Sequence, residues 1–145
     1  IKTKKGFYFR SDTFDTYYKY IETNDDIARH YKNKFSELSH GESFLELFDH
    51  FHEGVFLLDE PESSLSPQNQ LVLLKIIHDL DINNKSQIII LTHSPIIMTY
   101  PNADFLFIEN NLINKIDYKK TDHYIITKTM LDNPEKIFKV LFDDE

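Results

Sequence analysis

Two short apolar runs dominate the hydrophobic pattern in the middle of the chain. They are Val55 to Leu58 (VFLL) and Gln87 to Thr92 (QIIILT). Continuous runs of this length are typical of strands buried on both faces of a parallel sheet. Between them, Ser66-Pro67 predicts the start of a helix, because a capping serine precedes a proline at the first helical position. The apolar positions of that helix are Leu71, Leu74, Ile77, His78 and Leu80. A strand, a helix and a second strand predict a βαβ unit in an α/β fold.

Weaker patterns predict further elements before this unit. Gly6 to Arg10 (GFYFR) is a short aromatic run that predicts a strand, and Thr13 to about Phe35 has helical spacing. Ser39 is followed three residues later by Glu42, the spacing of a capping box, so a helix is expected to start there.

The part of the chain after Pro101 predicts a hairpin and a helical tail. Asp104 to Glu109 and Leu112 to Tyr118 flank Asn110-Asn111, and asparagine tolerates the positive φ angles of a tight hairpin turn. Residues 121–145 predict helices interrupted near Pro134, with His123 and Tyr124 as helix-cap and packing residues.

Composition limits the classes of protein to consider. A chain of 145 residues, 41% hydrophobic and 28% charged, suits one globular domain rather than a disordered segment. The net charge of −8 argues against a dedicated nucleic-acid-binding module. The absence of cysteine excludes disulfides and cysteine metal sites. No apolar run is long enough to span a bilayer and no signal peptide is visible, so a cytoplasmic location is expected.

Polar residues that could take part in binding or catalysis follow both central strands. Asp59 and Glu60 end the first apolar run, and His93 follows the second. Ligands of open α/β sheets sit beyond the carboxyl ends of the strands. A carboxylate there can hold a water-bound magnesium ion, and its neighbour can act as a general base. Surface acids that simply end a strand, and a solvated histidine, are the alternative reading.

A second candidate lies at the helix opened by Ser39. The first amides of a helix favour an anion, and Gly41 in the first turn leaves room for one. Glycine costs about 1 kcal/mol of helix propensity at such a position, which indicates another use for it. An ordinary capped helix is the alternative.

Taken in order, LSHGE from Leu38, VFLLDEPE from Val55, SSLS from Ser63 and LTHSP from Leu91 resemble the C-terminal half of ABC-type ATPase domains. The resemblance is closest to the soluble, AAA-like branch related to chromosome-maintenance and DNA-repair ATPases. It implies a partial P-loop NTPase fold, with a Q-loop and signature region over residues 1–53, a Walker B to switch-histidine unit over 54–100, and a hairpin and helical tail over 101–145.

The resemblance also implies cofactors and roles for individual residues. ATP and Mg²⁺ are the expected cofactors. Ser39 and Gly41 resemble signature residues that contact the γ-phosphate of ATP bound to the opposite subunit. Asp59 resembles the Walker B acid that orders magnesium. The remaining site residues are Glu60 as general base, His93 as switch histidine, and Ser64 and Ser66 in the D-loop, where many relatives have aspartate at Ser66. Arg10 to Asp12 occupy the Q-loop position without its glutamine.

The family's phosphate-binding loop, GxxxxGK followed by Ser or Thr, is missing from this sequence. The glycines are Gly6, Gly41 and Gly54, and none begins such a motif. We therefore expect a half-domain that is inactive alone and that works as a homodimer or with a full-length ATPase subunit, with a DNA or protein partner open. Two alternatives remain: a non-catalytic interaction module that pairs with a full-length ATPase, and a magnesium-dependent phosphatase or nuclease using Asp59 and Glu60.

Overall fold

The computed structural model describes residues 5–13, 16, 19–20, 23–24, 38–50 and 52–142. The chain divides into two compact units, Ile1–Thr92 and His93–Glu145, and each is described by itself. Most of the helical segment expected from Thr13 to Phe35 lies outside the described residues.

A three-stranded parallel sheet forms the centre of the first unit. Its strands are β1 (Gly6–Arg10), β2 (Gly54–Asp59) and β3 (Ser86–Leu91), in the order β1-β2-β3. The three strands predicted for this unit are confirmed, with β3 one residue nearer the amino terminus than expected. The parallel arrangement supports an α/β fold compatible with part of a P-loop NTPase.

Among the helices that the structure describes, α1 (His40–Asp49) and α2 (Pro67–Ile82) accompany the sheet. The predicted start of α2 is confirmed, because the Ser66 hydroxyl accepts a hydrogen bond from the Asn69 amide at 3.2 Å. Short 3-10 helices cover Ser11–Thr13, directly after β1, and Pro61–Ser64, one residue after the end of β2.

The core of the first unit is aromatic on the α1 side of the sheet. The ring centroids of Phe9 and Phe44 are 4.2 Å apart. The rings of Phe56 and Phe48 meet edge to face, with their centroids 5.5 Å apart. Such pairs contribute about 0.5–1.5 kcal/mol each beyond the area that they bury. The core therefore fixes α1 across β1 and β2.

The buried face of α2 differs from the expected one. Leu73, Ile77 and Leu80 are buried, whereas Leu71 is 60% exposed and His78 is exposed. The spacing of the buried residues is i, i+4 and i+7, as an amphipathic helix requires. Because Leu71, Leu73 and Leu74 lie so close together in sequence, either of two neighbouring faces of α2 could be the buried one. The prediction placed Leu71 on the buried face, and this is wrong.

One face of the sheet is exposed, which corrects the expectation that β2 and β3 are buried on both faces. Tyr8 is 61%, Leu57 38% and Ile89 44% exposed, and the register places these three residues side by side. Phe56 and Leu58, on the opposite face of β2, are fully buried.

The second unit contains the predicted hairpin and tail. Strands β4 (Leu106–Glu109) and β5 (Leu112–Lys115) pair antiparallel. Asn110 and Asn111 have φ angles of 51° and 62°, the two positive values that a type I′ turn needs. Short 3-10 helices cover Ile97–Thr99 and Tyr118–Lys120. Helices α3 (Asp122–Asp132) and α4 (Pro134–Phe142) complete the unit, with the break at Asn133 as expected.

Candidate active site

The three parallel strands end level with one another. Arg10 at the end of β1 pairs in register with Asp59 at the end of β2, which pairs in register with Leu91 at the end of β3. A cation and a carboxylate thus lie side by side at the carboxyl edge of the sheet. This edge is where open α/β sheets bind ligands.

Asp59 is held near an arginine. The Nε atom of Arg10 lies 3.9 Å from Oδ2 of Asp59, and its Nη2 donates a hydrogen bond to Oδ2 of Asp12 at 2.8 Å. The three side chains are between 36% and 61% exposed, so solvent screens their attraction. The sequence did not predict a contact between Arg10 and Asp59. The contact follows from the parallel register of β1 with β2.

The donor set at Asp59 fits a hydrated magnesium ion rather than a protein cage. Among the described residues, no three histidine or acidic side chains converge as a metal-ligand group. Asp59 therefore offers one accessible carboxylate, and Mg²⁺ is commonly bound through one or two carboxylates while it keeps several waters. Arg10 would compete with such an ion for the same oxygens.

Glu60 adopts an unusual backbone conformation. Its φ and ψ angles are 49° and 51°, in the left-handed region that costs most residues about 1 kcal/mol or more. Pro61 follows, and proline further disfavours helical angles in the residue before it. The Glu60 amide donates to the carbonyl of Leu91 at 2.9 Å, and its own carbonyl accepts from the Ser63 amide at 3.1 Å. These two bonds hold the exposed Glu60 at the end of β2 in spite of the strain.

The predicted capping box at α1 is confirmed. The Ser39 amide donates to Oε2 of Glu42 at 2.8 Å, and the Glu42 amide donates to the Ser39 hydroxyl at 3.4 Å. Hydrogen bonds from the Ser39 side chain, and next from its backbone, hold the pKa of Glu42 below its ordinary value. The Ser39 amide at the start of this helix is thus bonded to a carboxylate of the helix itself.

Packing within this chain explains why position 41 is a glycine. A Cβ atom at Gly41 would lie 2.8 Å from the carbonyl oxygen of Ser64 and 2.9 Å from a methyl carbon of Leu65. No real Cβ approaches backbone that closely without a shift in one of the two segments. Gly41 is accordingly buried, and the first turn of α1 packs directly on the loop that follows β2.

Ser64 and Ser66, the two serines that the sequence predicts in a D-loop, differ in their surroundings. Ser64 is half-buried and supplies the carbonyl that faces Gly41. Ser66 is exposed and caps α2 through its hydroxyl. Aspartate and serine are both good N-caps, so capping accounts for either residue at this position. Ser64 and Gly41 are thereby brought together, and Ser66 lies two residues beyond.

His93 belongs to the second unit. Its ring stacks on that of His123, with centroids 4.7 Å apart and planes 26° from parallel. The next residue, Ser94, is 5% exposed, and its hydroxyl accepts the amide hydrogens of Ile96 at 3.1 Å and Ile97 at 3.3 Å. Sequence reasoning missed the contact with His123; the only available signal was the capping residue Thr121 just before it.

Comparisons with known proteins give one finding. Residues 48–98 match the family model described as the AAA ATPase domain. No curated protein and no solved structure matches significantly. Separately, no described helix is long and apolar enough to cross a membrane. The matched segment contains β2, α2 and β3, and its similarity supports an ATPase of the AAA-like kind.

Proposed function

We propose that this chain supplies one half of an ABC-type ATPase site: the signature helix, the Walker B strand and the switch histidine. The observation that carries the proposal is the strained Glu60, which directly follows Asp59 at the carboxyl end of β2. Residues held in costly backbone conformations persist where the surrounding structure enforces them, and they are frequent at active sites. The similarity of residues 48–98 to the AAA ATPase domain supports the same conclusion.

Glu60 acts as the general base in this proposal. A water oxygen attacks the γ-phosphorus of ATP, the bond from that phosphorus to the bridging oxygen of ADP breaks, and the water proton passes to the Glu60 carboxylate. Asp59 would hold a hydrated Mg²⁺, and the ion would neutralise charge on the phosphate oxygens. His93 donates a hydrogen bond to the γ-phosphate or orients the attacking water.

The signature residues act on a second nucleotide. Ser39 and Gly41 contact the γ-phosphate of ATP held by a partner subunit, either another copy of this chain or a full-length ATPase. Ser64 and Ser66 run along the interface between the two subunits. The packing of Gly41 on Ser64 links the signature helix to the loop after Glu60 within one chain, so a phosphate on one side can influence the base on the other.

A non-catalytic interaction module is the second candidate. These 145 residues do not include a GxxxxGK loop, which holds the phosphates during transfer, and a segment outside them that carries one would favour the ATPase site instead. Such a module would use Ser39 and Gly41 on its partner's ATP while leaving Asp59 and Glu60 unused. The magnesium-dependent phosphatase or nuclease ranks last, since no acidic or histidine cluster accompanies Asp59 among the described residues.

Phosphate release from Mg-ATP distinguishes these candidates. We expect no turnover from the 145-residue chain alone, and turnover when it is produced together with a segment that carries GxxxxGK. In that complex, Glu60→Gln should abolish turnover while ATP stays bound. In a complex with a full-length ATPase instead, turnover that Glu60→Gln leaves unchanged but Ser39→Ala abolishes would favour the interaction module. Turnover by the chain alone would contradict the proposal.

A further inference from the structure

The stacking of the His93 ring on the His123 ring has no role in the function proposed above. Both side chains are exposed, yet their centroids are only 4.7 Å apart with nearly parallel planes. Exposed rings ordinarily sample several rotamers, so a stacked pair limits the rotation of both. Each histidine is therefore oriented by the other.

The backbone beneath His93 is fixed by the residue that follows it. The buried Ser94 hydroxyl accepts two amide hydrogens, and the Ser94 carbonyl accepts the amide of Met98 at 3.1 Å. These bonds turn the chain into the 3-10 helix Ile97–Thr99. With the main chain fixed, the remaining freedom of His93 is in its side-chain torsions.

The backbone beneath His123 is fixed independently. Thr121 is 4% exposed; its hydroxyl donates to the carbonyl of Tyr118 at 2.7 Å and accepts from the amide of Tyr124 at 3.3 Å. The rings of Tyr118 and Tyr124 then meet edge-on at 5.4 Å. His123 is thus the second residue of a helix whose start is capped and packed, and it presents its ring from a rigid support.

We propose that His123 is a positioning residue for His93: the stacked ring restricts the imidazole to one orientation for the switch-histidine role. The inference rests on the proposed ATPase function, because it assigns His123 no contact with nucleotide. A stacked neighbour contacts the face of the ring, whereas the ring nitrogens lie at its edge. An aromatic ring of similar size can therefore replace His123, whereas a small side chain cannot.

The contact itself is tested on the 145-residue chain by NMR of its histidine rings, with His93→Gln and His123→Ala used for assignment. We expect a nuclear Overhauser effect between the two rings, and a shift of the His93 ring protons in His123→Ala that His123→Phe reverses in part. His52→Ala removes an exposed histidine of the first unit and is the matched control, which should leave the His93 signals unchanged. Absence of the ring-to-ring effect would overturn the proposal.

The role is tested by turnover in the complex with the GxxxxGK segment. We expect His123→Ala to lower kcat about 10- to 100-fold with KM nearly unchanged, as for a misplaced catalytic group. His123→Phe should restore most of the loss, and His52→Ala should match wild type. Equal turnover in His123→Ala and wild type, or no rescue by phenylalanine, would overturn the positioning role. A wild-type complex without turnover would instead refute the ATPase proposal. The NMR experiment would still test the contact between the two histidine rings, because it does not depend on turnover.

Discussion

The carbonyl oxygen of Ser64 lies so close to Gly41 that a β-carbon on Gly41 would come within 2.8 Å of it. This contact joins the first turn of α1 to the 3-10 helix after β2. Two parts of the chain that the sequence reading assigned to nucleotide contact and to the subunit interface are therefore packed on each other. This packing alone accounts for a glycine at position 41, whether or not the residue also contacts a ligand.

Gly41→Ala tests how tight the contact is. Alanine is the better helix former by about 1 kcal/mol, so an open site would be stabilised. We expect the clash to outweigh that gain and to destabilise the chain by about 1–3 kcal/mol, as overpacking does. Urea unfolding followed by circular dichroism measures the change. Greater stability of Gly41→Ala would show that the loop yields easily.

Glu60→Gly separates backbone strain from catalysis. Glycine adopts positive φ without penalty, so the variant should gain about 1 kcal/mol of stability while the complex loses turnover. Asn84 has a similar φ of 52° in a polar turn, and Asn84→Gly is the matched control. Its gain should be smaller, because asparagine tolerates this region well. Loss of stability in Glu60→Gly would mean that the glutamate side chain itself stabilises the turn.

The capping box predicts a stability change with pH. The pKa of Glu42 in the folded chain lies below 4.5, its ordinary value, because Ser39 donates hydrogen bonds to the carboxylate. Its contribution is therefore complete above pH 4.5 and is lost as the pH falls through the lowered value. Glu42→Gln should be less stable than wild type at neutral pH, with the difference shrinking in acid.

Urea midpoints at pH 7 and at about pH 3 measure this difference, since an ordinary glutamate is protonated at the lower value. Glu46→Gln, on the same helix, is the matched control for removing one carboxylate. A difference between wild type and Glu42→Gln that is independent of pH would contradict the assignment.

Arg10 is expected to matter more for metal and nucleotide binding than for stability. Its ion pairs with Asp12 and Asp59 are more than a third exposed, so Arg10→Ala should change the free energy of unfolding by less than about 1 kcal/mol. The same variant leaves Asp59 without its neighbouring cation and should tighten Mg²⁺ binding to the apo chain, measured by calorimetry. Lys75→Ala, which breaks a comparable exposed pair with Asp79, should leave Mg²⁺ binding unchanged. Weaker Mg²⁺ binding in Arg10→Ala would contradict competition between arginine and metal.

Local sequence signals predicted most of the secondary structure. The capping box at Ser39, the Ser66-Pro67 helix start and the Asn110-Asn111 turn each depend on a few neighbouring residues, and all three are confirmed. Burial was harder to predict, because it depends on which elements cover a strand. The apolar residues of β3 suggested two buried faces, yet Ile89 and Leu91 are exposed.

The site was predictable only where its residues adjoin in sequence. Asp59 and Glu60 stand together at a strand end, and that pattern can be recognised in one dimension. The neighbours of Arg10 and Gly41 come from the parallel register and from helix-to-loop packing, which a single sequence does not encode locally. The pairing of His93 with His123 spans 30 residues and has no sequence signal beyond a capped helix. Contacts between distant segments were therefore the part that sequence reasoning missed.

The most direct test of the central claim is phosphate release from Mg-ATP by the complex of this chain with a GxxxxGK-bearing segment, compared between wild type and Glu60→Gln. We expect turnover by wild type and at least about a 100-fold loss in Glu60→Gln, the contribution of a general base, with ATP still bound. Equal turnover by the two proteins would contradict the assignment of Glu60 as the base.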